Sequence, residues 1–275
     1  MELRFCPLFS GSSGNALYLG CEQTHLLVDA GMSGAKITAE MERVGLSPAD
    51  LTGILITHEH VDHIAGAGIL SRRYDLPIYA NEGTWAAMRD KLGNISEKNI
   101  RLFETGADFH IGSLDIMPFA IPHDAAEPVG YSFYAGSSKL SIATDLGVIK
   151  ESWMKHIEDS DLILLESNHD VDMLKAGRYP YELKRRILGN KGHLSNDAAG
   201  KAALELVQRG VRNIILGHLS GENNFPELAY QSVCCALQTE GVEPGRDLML
   251  SVAGRDGSSG MYVIGGGHSS AEVIR

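Results

Sequence analysis

Three histidines and two carboxylates crowd into Thr57-His58-Glu59-His60-Val61-Asp62-His63, directly behind the apolar run Gly53-Ile54-Leu55-Ile56. Imidazole nitrogens and carboxylate oxygens are the donors that hold zinc and related cations, so this density reads as a metal site. Residues 53–57 have the aliphatic, β-branched character of a buried parallel strand, and residues 64–73 can continue as a helix. His58 and His60, two apart on extended backbone, point to the same side and can share one cation. Asp62 and His63 begin the next turn and point elsewhere, which suits a second cation a few ångströms away. A solvated helix cap at Asp62 would explain one polar residue here, and it would not need three histidines.

The remaining ligands must come from later in the chain, and the candidates share one setting. His123 follows Phe119-Ala120-Ile121-Pro122, Asp145 follows Leu140-Ser141-Ile142-Ala143-Thr144, and His218 follows Asn213-Ile214-Ile215-Leu216-Gly217. Ends of strands are where sites assemble in α/β folds. The expected arrangement gives His58, His60 and His123 to one metal and Asp62, His63 and His218 to the other, with Asp145 bridging. Two dications so held can bind a water between them, lower its pKa towards neutrality and present hydroxide in line with a scissile bond, a chemistry that suits a phosphodiester. Asp62 could also orient that nucleophile or take its proton. Zinc is expected from the histidine count, and the mixed nitrogen and oxygen donors also suit manganese or iron.

The motif Thr57-His58-Glu59-His60-Val61-Asp62-His63, followed in order by a His, an Asp and a last His, resembles the signature of the metallo-β-lactamase superfamily of metallohydrolases. Within it, Ser10-Gly11-Ser12-Ser13-Gly14-Asn15, the stretch from Pro122 to Tyr131 and Gly217-His218-Leu219-Ser220-Gly221-Glu222-Asn223-Asn224 are similar to the YycJ/WalJ-type branch. The resemblance implies an αββα four-layer sandwich of two mixed β-sheets flanked by helices. It also implies nuclease activity, with exonuclease action on nucleic acid as the specific expectation. In tRNase Z, a relative in this superfamily, a Glu after a strand and a His closely followed by Ser form a proton-donating pair. Glu166, at the end of Leu162-Ile163-Leu164-Leu165, and His193, two before Ser195, match those places, although Ser167-Asn168-His169 departs from the relative there. A carboxylate on one ring nitrogen fixes the tautomer and leaves the other nitrogen to protonate a leaving oxygen. His169 could line the site or support Glu166. The competing functions are a small-molecule or cyclic phosphodiesterase, a thioester hydrolase, and a non-catalytic binding module, which would need lost ligands where none is missing.

Composition sets the outer limits. A chain of 275 residues with 44% hydrophobic content can bury a large core as one domain spanning 1–275. No stretch approaches a membrane span and the start lacks a basic segment followed by an apolar block, so a cytoplasmic protein with no membrane contact is expected. Cys6, Cys21, Cys234 and Cys235 form no metal-ligand spacing and are expected as buried free thiols, the vicinal pair as core and flank of a helix. The formal charge of −11 runs against a broad nucleic-acid grip, so contacts should be small and concentrated at the site. Arg178, Lys184, Arg185, Arg186 and Lys191, interleaved with Tyr179 and Tyr181, form a candidate phosphate-tracking flank or a solvated amphipathic helix. Oligomeric state is not readable.

These residues need a scaffold, and the hydrophobic periodicity describes an α/β chain. Strands are expected near 3–8, 15–20, 24–29, 53–57, 77–80, 99–103, 114–121, 130–135, 139–144, 161–166, 213–217, 247–252 and 261–264. Helices are expected near 34–45, 63–73, 83–92, 151–158, 180–188, 196–209 and 226–239, with Ser195 capping one and Pro226 opening another. Gly136-Ser137-Ser138 reads as a hairpin turn, and the Gly- and Ser-rich end from Gly265 as loosely ordered. The loop Ser10 to Asn15 could approach a phosphate or turn tightly near the metals.

Overall fold

Strands in this protein are sorted by alternation, one side of each facing the opposite sheet and the other side facing helices. In the computed structural model, which describes residues 1–265 and 272–274, the first sheet takes β1 (Glu2–Phe9), β2 (Ala16–Cys21), β3 (Thr24–Val28), β4 (Gly53–Leu55), β5 (Ile78–Ala80) and β6 (Ile100–Leu102). The second sheet takes β7 (Phe109–Ile111), β8 (Leu114–Ala120), β9 (Val129–Ala135), β10 (Ser138–Ala143), β11 (Leu162–Glu166), β12 (Asn213–Gly217) and β13 (Met249–Val252), before β14 (Met261–Gly265) and β15 (Glu272–Ile274) return to the first. Spatial order is β15-β14-β1-β2-β3-β4-β5-β6 in one sheet and β13-β12-β11-β10-β9-β8-β7 in the other. Both are mixed. β3 to β6 run parallel, as do β10 to β13, and the remaining neighbours are antiparallel.

Leu3 and Phe5 of β1, Leu17 and Leu19 of β2, Leu140 and Ile142 of β10 and Leu162 and Leu164 of β11 meet in the core between the sheets. The alternate residues face outward. Cys6, Leu8 and Tyr18 pack with Ile37 and Met41 of α1 (Gly34–Arg43), Leu70 of α3 (Ala67–Tyr74) and Trp85 of α4 (Glu82–Met88). The short α2 (Val61–Ile64) precedes α3. Ile163, Leu165, Ile214 and Leu216 pack with Trp153 of α5 (Glu151–Ile157), Leu206 of α8 (Asn196–Gln208) and Val233 of α9 (Pro226–Thr239). Three separate cores therefore define the four layers, the αββα sandwich that the motif resemblance implies.

Several elements depart from the periodicity. The helix expected at 63–73 is broken after α2, because Gly66 turns its N–H to the carbonyl of Ala30 at 2.7 Å. The strand expected at 53–57 stops at Leu55, which frees Thr57 to His60 to curl over the sheet edge. Neither β7 nor β15 was expected, nor was α6 (Val171–Ala176), which starts where the Asp170 side chain accepts the Met173 N–H. These are three- and six-residue segments, too short to establish a period. The loose end expected from Gly265 lies outside the described residues except for Gly265 and β15. The hairpin at Gly136, the Ser195 cap and Pro226 at the first turn of α9 are as expected. Of the cysteines, all free, Cys6 and Cys21 are buried, while Cys234 is half-buried and Cys235 is exposed, because the outer face of α9 meets no further layer.

Two loops of the first sheet are locked together at Gly31. Its N–H donates to Asn15 O at 2.7 Å and Asn15 N–H donates to Asp62 O at 2.8 Å. A Cβ on Gly31 would lie 1.6 Å from that Asp62 carbonyl oxygen. Gly31→Ala is expected to destabilise the fold by about 2 kcal/mol through overpacking, read as a shifted urea midpoint, and to weaken metal binding by displacing Asp62; an unchanged midpoint would contradict the tight packing described.

Candidate metal centre

The C-terminal ends of the parallel strands open on one edge of the sandwich, and the polar residues collect there. Asp29 follows β3, His58 to His63 follow β4, Glu166 ends β11, Asp145 follows β10 and His218 follows β12, while His123 comes from the loop after β8. Asp29, Asp145 and His218 adopt left-handed backbone, with φ of 60°, 60° and 56°. Each such turn costs about 1 kcal/mol or more and swings the side chain back over the strand end. Contacts between the sheets hold this edge shut: Tyr131 Oη donates to Ile56 O at 2.6 Å, Val129 N–H to Thr57 O at 3.0 Å, and Ala126 N–H to the Glu59 carboxylate at 2.9 Å.

Every residue expected as a ligand is in this cluster. His60 Nδ1 lies 3.1 Å from His58 Nε2 and 3.3 Å from His123 Nε2. A tetrahedral cation with bonds of about 2.0–2.1 Å separates its nitrogens by roughly 3.3 Å, so these three are spaced as co-ligands. Asp62 Oδ2 lies 3.6 Å from His63 Nε2 and 3.7 Å from His218 Nε2, which forms the second group. Asp145 faces both groups. Its Oδ1 is 3.6 Å from His123 Nε2 and its Oδ2 is 3.5 Å from His63 Nε2.

The outer nitrogens of the rings are anchored. His63 Nδ1 meets Asp29 at 2.7 Å, His218 Nδ1 meets Glu166 at 2.9 Å, His58 Nδ1 meets the Thr57 hydroxyl at 3.0 Å and His123 Nδ1 meets the Gly192 carbonyl at 3.2 Å. Metal-binding histidines are held in this way, with the far nitrogen fixed so that the near one offers its lone pair. Two inward atoms, Asp145 Oδ2 and His218 Nε2, are buried without a hydrogen-bond partner among the described residues. Buried polar atoms left unsatisfied are costly, and a cation between them satisfies both. The donors present therefore fit a pair of divalent cations.

Charge points the same way. Burial works against ionisation of Asp62, Asp145 and Glu166, yet the surrounding histidines outweigh it and hold all three carboxyls below their usual range. Burial likewise opposes a charge on His63, but Asp29, Asp145 and Asp62 push its pKa up to about 9, and His218 is raised well above the usual value. His58 and His123 are lowered, by burial first and by neighbouring imidazoles. A nest of ionised acids thus draws positive charge to its centre.

Glu166 is saturated. Its Oε1 faces His193 Nδ1 at 2.8 Å as well as His218, and its Oε2 accepts the N–H groups of Leu146 and Leu194. The expected pairing of Glu166 with His193 is therefore present, and the His193 side chain remains 19% exposed. His169 does not support Glu166 by a hydrogen bond: neither ring nitrogen has a partner among the described residues, and burial lowers its pKa to about 4. The basic flank divides. Lys184 is spent on the carbonyls of Lys175 and Gly177 and Arg185 pairs with Glu182, while Arg186 reaches Asp124 beside the centre.

Asp29 was missed by the sequence reading although it obeys the same rule, a carboxylate directly after an apolar strand. The Ser10 to Asn15 loop does turn at the centre. The Ser10 hydroxyl accepts the His218 N–H at 2.9 Å, and the Asn15 amide lies 3.2 Å from His63 Nε2.

A four-layer αββα sandwich with two adjoining His and Asp clusters at one edge defines a metal-dependent hydrolase. Residues 24–219 match the beta-lactamase superfamily domain. The chain is 44% identical over 245 residues to the exodeoxyribonuclease YycJ of Bacillus anthracis, spanning 89% of this chain and 93% of that one. It is 41% identical over 249 residues to the exodeoxyribonuclease WalJ of Streptococcus pneumoniae, spanning 90% and 93%. The fold is similar to that of Zn(2+)-bound PqqB from Methylobacterium extorquens, with a TM-score of 0.69 over 96% of this chain and 100% of that one at 18% identity. The chain belongs to the beta-lactamase superfamily and, within it, to the YycJ/WalJ family; divalent-cation binding follows from that membership together with the clustered donors.

Asp29 carries no inward-facing atom of the centre but fixes His63 and accepts both the N–H and the hydroxyl of Thr57 at 2.8 Å. Asp29→Ala is expected to lower metal affinity by about 10- to 100-fold, measured by competition with a chelating dye; unaltered affinity would remove Asp29 from the support of the site.

Proposed function

We propose that the protein is a dinuclear metal-dependent exodeoxyribonuclease that hydrolyses phosphodiester bonds at the ends of nucleic acid strands. The observation that carries this reading is the pair of ligand groups facing one shared carboxylate, Asp145, in a chain so similar to two exodeoxyribonucleases. His58, His60 and His123 would hold one cation and Asp62, His63 and His218 the other, with Asp145 between them. Zinc is the proposed metal, with manganese or iron compatible with the same donors. Two bound dications lower the pKa of water towards neutrality and offset the negative charge that develops on a phosphodiester.

The protein's own groups supply the proton traffic. Asp62, 29% exposed beside His63, would orient an attacking water and receive its proton. Glu166 accepts the Nδ1 hydrogen of His193, so that the imidazolium form can give its Nε2 hydrogen to the departing oxygen and become the neutral Nδ1–H tautomer. One domain over 1–275 and a cytoplasmic setting belong to the same proposal; no helix among the described residues is long and apolar enough to cross a membrane. The formal charge of −11 favours a second reading, a phosphodiesterase on small or cyclic substrates, which have no long anionic strand to repel.

A time course on end-labelled single- and double-stranded DNA and RNA, beside cyclic nucleotides, separates the two. Progressive shortening from an end with zinc or manganese, absent in Asp62→Ala, is expected. Turnover of cyclic nucleotides alone would replace the nuclease by the second reading.

His193→Ala is expected to retain bound metal and lose roughly 10²- to 10⁴-fold in turnover on DNA. On bis(para-nitrophenyl) phosphate, whose leaving group departs without a proton, the loss should be much smaller. Equal losses on both substrates would remove His193 as the donor.

A further inference from the structure

Arg186 lies on α7 (Tyr181–Ile187), a helix with no buried residue, yet its guanidinium is drawn in towards the metal centre. Its Nε donates to Asp124 Oδ2 and its Nη2 donates to Asp124 Oδ1 at 3.0 Å. Asp124 Oδ1 in turn lies 3.5 Å from His123 Nε2, one of the nitrogens aimed into the cluster. The fork is thus one contact removed from the His123 ring. Asp62 lies near enough to add to the hold on its positive charge, after Asp124 itself.

Stability does not account for this placement. The Arg186 side chain is 52% exposed, and exposed ion pairs contribute at most about 1 kcal/mol. A guanidinium offers five N–H donors in a fixed plane, and Asp124 takes two of them. Among the described residues no other side chain or carbonyl accepts from Arg186, so the remaining donors can meet a second oxyanion. Lys184 and Arg185 of the same helix are engaged elsewhere. In a chain of formal charge −11, this half-exposed cation offsets the charge of Asp124 beside the centre.

We propose that Arg186, held in place by Asp124, binds a backbone phosphate of the nucleic acid substrate other than the one being cleaved. The proposal rests on the nuclease reading above and names a specific contact within it. Arg186 does not touch the reacting atoms. It is a positioning residue that sets the register of the strand against the metal centre, and lysine at this position keeps the charge while losing the planar fork.

Metal-loaded wild type, Arg186→Ala, Arg186→Lys and Asp124→Asn are compared on a single-stranded oligodeoxynucleotide and on bis(para-nitrophenyl) phosphate, which has no second phosphate. For Arg186→Ala the KM for the oligonucleotide is expected to rise about 10-fold or more, with kcat nearly unchanged. Bound metal, the thermal midpoint and turnover of the small substrate should stay at wild-type values. The slope of log affinity against log salt, read by anisotropy with a phosphorothioate oligonucleotide, should fall by about one. Arg186→Lys is expected to recover part of the KM but not all, and Asp124→Asn to raise KM less than Arg186→Ala does. An unchanged KM and salt slope in Arg186→Ala, with the wild type degrading DNA, would overturn the contact alone; so would equal losses on both substrates, which would place Arg186 at the reacting atoms. A wild type that hydrolyses the small substrate and no oligonucleotide would overturn the nuclease reading and this role with it.

Discussion

Buried negative charge governs the architecture of this protein. Asp29, Asp145 and Glu166 are almost wholly removed from solvent, and Asp62 is mostly so. An isolated carboxylate in such surroundings would be far too costly to keep ionised, and would bind a proton instead. Here Asp62, Asp145 and Glu166 are surrounded by imidazoles that keep them charged, and four histidines at the centre are themselves fixed by carboxylates, a hydroxyl and a carbonyl behind them. The arrangement is self-consistent only if the middle carries positive charge. Divalent cations can supply it compactly because one ion satisfies several donors at once. Metal affinity and fold are therefore linked through the same set of atoms.

The layered fold exists to deliver those atoms to one edge. Parallel strands end together, so residues distant in sequence arrive side by side, and short left-handed turns at Asp29, Asp145 and His218 point them inward. That strain is tolerated because hydrogen bonds over-determine the turns at Asp29 and His218. The His218 N–H is held by Ser10, the Asn168 side chain holds the His218 carbonyl at 2.8 Å, and Thr57 is held by Asp29 at both its backbone and its hydroxyl. A buried amide network of Asn196, Asn224 and Ser167 continues this support beneath the second sheet.

What could be read in advance follows from how each feature is encoded. The ligands were legible because residue type and strand-end position coincide, as in Thr57 to His63 after β4 or His218 after β12. The αββα layering needed the resemblance, since alternation along β1 or β11 says that both faces are buried without saying what covers each. Asp29 escaped notice because a lone Asp after Val28 looks like any turn residue until the distance to His63 is known. The break at Gly66 and the short α6 were hidden for a related reason: each is set by a single tertiary contact or cap rather than by a repeating pattern. Sequence reports periodic burial well and individual long-range hydrogen bonds poorly.

The same distinction separates chemistry from specificity. Hydrolytic groups sit at the ends of buried strands, where packing leaves little choice of position, and one constellation can serve many substrates on this fold. Residues that meet the rest of a substrate must stay accessible, and α7, which contributes nothing to any of the three cores, offers such side chains. A basic run between Arg178 and Lys191 looks uniform in sequence, but the structure breaks it into side chains that brace the loop, pair with a neighbour, or lean over the centre. Net charge says little about such a site. A chain can be strongly acidic overall and still set a half-exposed guanidinium, Arg186, beside a nest of metal-binding donors.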